Sequence, residues 1–188
     1  MLGKYSPDLL YIWKYPEPDF YMAGWSIIPE RSFVRYEIRH LGIFWSRGSF
    51  RRPQGQVMLD ANLTNTYLYG SLSVADLRTG LRLRDEMLRG SQYFFEQEHP
   101  IISYVAYEVI QGKHPSQFIA KGELSVRGIT QPLEVPFRIA KVTEGPEGKI
   151  AHFKSEISLK RSALGIGGNA WTLGDRIRVL IAVQARRS

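Results

Sequence analysis

The feature that most limits the fold is a two-residue alternation that governs most of the chain and gives way only once. It is cleanest after Ser32. Val34, Tyr36, Ile38 and His40 fall on one face of an extended strand, and Phe33, Arg35, Glu37 and Arg39 on the other. One face is apolar and the other mostly charged, as expected of a sheet that covers a core or lumen on one side and meets water on the other. Further strands are expected around 44–50, 56–61, 66–74, 101–109, 118–126, 133–141, 150–160 and 177–185. Turn signals separate them: Arg51-Arg52-Pro53-Gln54-Gly55, Gln111-Gly112-Lys113, Glu144-Gly145-Pro146-Glu147-Gly148, and Asn169 after Gly167-Gly168. Many short strands at this spacing mean an all-β sandwich or barrel. A closed antiparallel barrel is preferred because it leaves no strand edge unpaired. With about eight strands its lumen either fills with side chains or holds one slender ligand.

The alternation gives way between residues 79 and 100, where one short helix is expected between strands. Leu83 and Met87 stand four apart and Leu81 and Leu88 seven apart, which places them on one side of a helix. Asp85 precedes Arg89 by four, the favourable order for a helical ion pair. Gly90 follows as a left-handed stop. Tyr93, Phe94 and Phe95 then come in a block, and Pro100 holds His99 extended before the next strand. An aromatic-loaded helix inserted between strands must cover something apolar, either a packed core or a ligand chamber.

At 188 residues the chain is one domain with room for a substantial core, and no linker or low-complexity segment divides it. Residues 1–24 follow neither period. They read as an arm packed by Tyr11, Trp13 and Tyr15 onto the barrel of residues 25–188, or onto a partner chain in a homodimer. Cysteine is absent, which removes disulfides, thiol nucleophiles and thiolate metal sites. No apolar run approaches the ~18 residues of a membrane-spanning helix. Lys4, Asp8, Lys14, Pro16 and Pro18 interrupt what would be the apolar core of a signal peptide. As written the sequence reads as cytoplasmic, and as periplasmic if a leader has been removed. A net charge of +7 favours solubility and, weakly, contact with an anionic membrane surface. Nucleic acid is a poor partner, because the aromatics fall on the inner face rather than beside Arg35, Arg39, Arg51 and Arg52.

No catalytic, cofactor or metal constellation stands out. His40, His99, His114 and His152 are scattered, and Glu96, Glu98 and His99 read as a solvated loop rather than a metal site. Gly165-Ile166-Gly167-Gly168 lacks the lysine of a phosphate loop and reads as a turn needing left-handed backbone. Arg84 and Asp85 read as a surface ion pair or a tie from helix to barrel rim. His40 serves either as a rim histidine or as a polar contact to a ligand head, and Arg161 as a surface residue or as a cation at the barrel mouth. The aromatics Tyr36, Phe94, Phe95, Tyr104, Phe153 and Trp171 are core or ligand wall, which are the same residues before and after a lumen fills.

Five ordered motifs resemble one family. Thr79, Gly80, Arg84, Asp85, Leu88, Phe94 and Phe95, with the step Pro100, Ile102, Tyr104, match T-G-x-x-x-R-D-x-x-L-x-x-x-x-x-F-F and P-x-I-x-Y. Ser32, Val34, Tyr36, Ile38, His40, Leu41 and Gly42 follow S-x-V-x-F-x-V-x-H-L-G, with Tyr in place of Phe, and Gly48 with Phe50 follows G-x-F. Gly122, Leu124, Gly128, Thr130 and Pro132 fit G-x-L-x-x-x-G-x-T-x-P, and Arg161, Ser162 and Gly165 fit R-S-x-x-G. The pattern resembles that of the YceI-like family of small lipocalin-like barrels that bind polyisoprenoid or other long-chain lipids. Departures fall at Ile28 and Arg31, where the family has Asp and His, and at Asp76 and Arg78, where it has Ser and Asp.

The resemblance implies a lipid-binding barrel. An apolar chain such as a polyisoprenoid, an isoprenoid quinone or a fatty-acid derivative would thread a lumen lined by Val34, Tyr36, Ile38, Leu72, Val74, Ile102 and Tyr104. Phe153 and Trp171 belong to its aromatic wall, Met87, Leu88, Phe94 and Phe95 cover one end, and His40 with Arg161 meets the head group. Each buried methylene contributes roughly 0.8 kcal/mol, so affinity needs no covalent chemistry and no cofactor. The alternative is an enzyme acting in the same cavity with His40 as acid or base.

Overall fold

The computed structural model describes residues 24–59, 63, 66–167 and 173–187. Its elements in chain order are β1 (Gly24–Ile27), β2 (Phe33–His40), β3 (Phe44–Arg51), β4 (Gln54–Met58), β5 (Tyr67–Ser73), β6 (Leu77–Arg78), α1 (Arg82–Arg89), β7 (Ile101–Gln111), β8 (Gln117–Val126), β9 (Ile129–Gly145), β10 (Gly148–Lys160) and β11 (Leu173–Arg187). Three of the eleven strand segments continue another one. β1 and β2 are joined through a 3₁₀ turn at Pro29–Arg31 and both pair with β11; β3 and β4 bend at Arg52-Pro53 and pair with β2 and β1. β5 and β6 likewise pair with β4 and β3. The remaining eight strands run up and down in chain order, every pairing antiparallel, and β1 on β11 closes the ring.

The barrel closes through a strand too short for its periodicity to register. Trp25 on β1 is 1% exposed and anchors one end of the interior with Phe118, Phe137 and Phe153, whose rings form a chain of contacts 5.4 and 6.2 Å between centroids. Ala106, Ala120, Ala151 and Ala185 let neighbouring rings fit at that end. A second cluster fills the opposite end around Ile38, Phe50, Leu77, Ile166 and Ile177, and Tyr104, Leu133, Ile157 and Ile181 touch both.

The helix lies at the second end and differs from the sequence expectation in three ways. Leu83 is 81% exposed, and Leu81 and Met87 are exposed too, so the leucine–methionine stripe does not face the core. Only Leu88 packs inward. Polar moorings hold the helix instead. Asp85 accepts hydrogen bonds from the Thr79 amide and hydroxyl, while Arg89 Nη2 donates to the carbonyls of Ala75 and Leu77. The helical i,i+4 ion pair is therefore Arg82–Glu86 at 2.8 Å rather than Asp85 with Arg89. Gly90 is extended (φ −67°), and the left-handed residue after the helix is Phe95 (φ 52°).

Candidate functional site

The interior holds two chambers in series. The deeper is about 220 Å³, and its wall is almost entirely apolar, built from Val34, Leu72, Ile102, Leu124, Phe153 and Val179 among others. The outer, about 330 Å³, opens at the helix end and is lined by Ile38, His40, Phe44, Trp45, Arg84, Met87, Leu88, Tyr93, Arg161 and Leu173. Tyr36, Phe94, Ile166 and Ile177 line both and form the partition. The deeper chamber alone falls below the roughly 300–1,000 Å³ usual for small-molecule sites; the two chambers taken together fall within it.

Local chemistry places each wall. Tyr36 lies across β3 because its cross-strand partner is Gly48; a Cβ there would sit 2.4 Å from the Tyr36 hydroxyl. Phe94 meets Phe50 edge-on at 5.5 Å, and Phe50 in turn tilts against Tyr36 at 6.2 Å. Burial pushes the Tyr36 hydroxyl up to about 12, Arg84 drawing it down and Asp85 adding to the rise. Tyr104 spans the deeper chamber and donates its hydroxyl to the carbonyls of Ala120 and Leu133, so its polar atom is satisfied inside an apolar wall.

The mouth is fixed by arginines that bind backbone. Arg127, itself left-handed (φ 52°), donates to the carbonyls of Ser91, Gln92 and Gly165, tying the loop after α1 to the β8–β9 turn and the β10–β11 loop. Arg161 is 5% exposed, and its own loop wraps around it: Nη1 donates to Ile166 O at 2.6 Å and Nε to Gly174 O at 3.3 Å. Ser162 donates its amide and hydroxyl to the exposed Asp175, whose carboxyl these bonds, with the charges of Arg161 and Lys160, hold below the usual range. The left-handed turn residue of this loop is Gly165 (φ 63°).

The expected site residues thus divide. Val34, Leu72, Ile102, Tyr104 and Phe153 line the deeper chamber; Ile38, His40, Met87, Leu88 and Arg161 line the outer one; Tyr36 and Phe94 separate them. Two fall elsewhere. Val74 is fully buried at the start of a 3₁₀ turn in the mouth-end core and lines neither chamber. Phe95 turns away through its left-handed backbone and packs edge-on against His99 at 5.9 Å. Trp171 and residues 1–23 of the expected arm lie outside the described residues. Sequence reasoning missed Arg84 as a lining residue, and its electrostatic effect on the Tyr36 hydroxyl carries no sequence signal. Among the described residues no three metal-ligating side chains cluster.

Comparison with known proteins agrees with this architecture. The YceI-like domain model matches residues 25–185. The UPF0312 protein of Photorhabdus laumondii subsp. laumondii is 28% identical over 160 residues, covering 84% of this chain and 82% of that protein. Protein YceI of Shigella flexneri is 22% identical over 157 residues, covering 82% and 81%. Among solved structures, Burkholderia cenocepacia BcnA superposes with a TM-score of 0.73 at 18% identity over 84% of this chain and 98% of its own. A structure described as a polyisoprenoid binding domain from Saccharophagus degradans, implicated in plant cell wall breakdown, gives 0.70 at 9% identity over 88% and 99%. With a family model matched along nearly all of the described barrel, this chain belongs to the YceI-like domain family.

Proposed function

We propose that the protein binds a long-chain apolar lipid, a polyisoprenoid, isoprenoid quinone or fatty-acid derivative, with the tail in the deeper chamber and the head in the outer one. The observation that carries this reading is the apolar chamber and its shared partition with a wetter chamber at the mouth. Affinity then comes from tail burial at about 25 cal/mol per Å² of apolar surface, reduced by the ordering of a flexible chain, and a few polar groups orient the head. The fold likeness to the Saccharophagus polyisoprenoid binding domain supports the same assignment. No residue is given a catalytic role: His40 stands at the exposed rim, and the other ionisable groups lining its chamber among the described residues are Tyr36, Arg84, Tyr93 and Arg161, with no carboxylate to complete an acid–base pair. Carriage for transport, storage or protection under stress would each use the lumen in this way.

Loading requires contact with a membrane, and the mouth is suited to it. Ile43 is 76% exposed and Phe44 63% at the β2–β3 hairpin, with Trp45 beneath the Arg39 guanidinium (5.2 Å) and Leu83 exposed on α1. Exposed apolar groups beside Arg39, on a chain of net charge +7, favour an anionic bilayer surface. The test is solvent extraction of the purified protein followed by mass spectrometry, for wild type and for Ile38→Trp, which fills the outer chamber. A single lipid near one-to-one in wild type and its loss in a folded Ile38→Trp variant are expected. Unchanged lipid content in that variant, or none in wild type after exposure to lipid vesicles, would refute the assignment.

A further inference from the structure

Two guanidinium groups face the outer chamber, and among the described residues no carboxylate lines it. Arg161, almost fully buried, spends its side-chain hydrogen bonds on neutral carbonyls, those of Ile166 and Gly174, and the Asp175 carboxylate reaches it only through space. Arg84 spends Nη2 on the Thr79 carbonyl at 2.8 Å, and its buried Nε has no hydrogen-bond partner. The carboxylates of Asp85 and Asp175 accept their hydrogen bonds from Thr79 and Ser162 and none from the side chains of Arg84 or Arg161. A buried cation without a directly bonded counter-charge is costly. An arginine fork is shaped for a planar or tetrahedral oxyanion, and charge-assisted bonds to it are about twice as strong as neutral ones. The Tyr36 hydroxyl, which burial keeps protonated, lines the same chamber and adds a donor. A neutral head such as a quinone or an alcohol would leave both guanidinium groups without a directly bonded counter-charge.

We propose that the lipid carries an anionic head, a carboxylate or a phosphate monoester, received between Arg161 and Arg84 in the outer chamber. This rests on the lipid-binding reading above and narrows it to acidic amphiphiles.

The test uses delipidated full-length protein and two matched pairs of probes, laurate with dodecanol and farnesyl monophosphate with farnesol, titrated calorimetrically. The anionic member of at least one pair should bind about ten- to a hundredfold tighter, the worth of one charge-assisted hydrogen-bond set. The pair with the larger ratio names the head. Arg84→Gln should erase most of that preference by weakening the anionic member far more than the alcohol; Arg161→Gln should do the same where it folds, the helix-borne Arg84 variant and the wild-type ratio standing without it. Equal affinity for charged and neutral members in wild type, or a preference that survives Arg84→Gln undiminished, would overturn the inference. Binding of the alcohols without preference would leave the lipid-binding reading standing, whereas failure of all four probes would remove both.

Discussion

If the deeper chamber is empty space in the lipid-free protein, adding apolar volume there should stabilise the fold, which is the opposite of what enlarging a packed core does. Val179 is the position of choice. It is buried on β11, pairs with Tyr36 and Ile157, and lines the chamber. Residual cavities cost about 24 cal/mol per Å³, so the 220 Å³ chamber represents about 5 kcal/mol recoverable by any apolar filling. A phenyl ring from Val179→Phe that occupies about a quarter of it recovers about 1 kcal/mol by the same coefficient. In a close-packed interior the same change costs typically 1–3 kcal/mol. The signs differ, and that makes the experiment decisive. Delipidated wild type and variant would be unfolded in urea, and a rise of about 1 kcal/mol corresponds to a melting shift of roughly 2–4 °C in a domain of this size. Lipid capacity should fall in step. A variant destabilised by 1 kcal/mol or more, with its native circular dichroism retained, would show that the interior is already full and that the lumen argument is mistaken.

Three further outcomes follow from the geometry. Gly48→Ala places a methyl group against the Tyr36 ring, 2.4 Å from its hydroxyl; expected are a loss of about 1–3 kcal/mol and a changed near-ultraviolet tyrosine signal, and an unchanged signal would mean that Tyr36 does not form the partition. Asp85 titrates below its ordinary 3.8 because, although burial opposes ionisation, the Thr79 hydroxyl and amide and the charges of Arg89 and Arg78 outweigh it. Its folded value being depressed, its contribution is complete above the ordinary value and is lost as pH falls through the folded one, so wild type should lose more stability than Asp85→Asn on acidification below about pH 4; parallel curves would remove Asp85 as the helix mooring. Replacing Ile43 and Phe44 together by Ser should weaken co-sedimentation with anionic vesicles severalfold and slow lipid uptake from them, while uptake of detergent-dispersed lipid stays the same; equal effects on both routes would assign those residues to the binding chamber rather than to docking.

The barrel was legible because its strands obey one period over lengths that leave little choice of register. In β2 the inward series Val34, Tyr36 and Ile38 is set by alternation alone, and a one-residue slip would bury Arg35 and Glu37. β1 escaped notice because four residues, Gly24–Ile27, are too few to show a period, although Trp25 is among the most completely buried side chains. The helix misled for a different reason. Its leucines obey helical spacing, but what fixes it is a set of local polar bonds, Thr79 to Asp85 and Arg89 to the turn at Ala75–Leu77, and these leave Leu83 in water. Side-chain bonds to backbone carry no periodic signature.

The candidate site was legible in its floor and not in its mouth, and the same physics explains both. An apolar wall is a sum of many interchangeable contacts, so Val34, Leu72, Ile102 and Phe153 can be placed from pattern without knowing their neighbours. Polar recognition depends instead on what each group fails to find. Arg161 could be named from sequence as a cation near a rim, but its meaning changes once its loop carbonyls, rather than Asp175, are seen to hold it. Arg84, read as half of an ion pair with its neighbour Asp85, is freed because Thr79 claims that carboxylate first. Two local choices of hydrogen-bond partner, each within about ten to fifteen residues, therefore leave the mouth positively charged. In a barrel whose floor selects only for apolar volume, those choices decide which heads can sit above it.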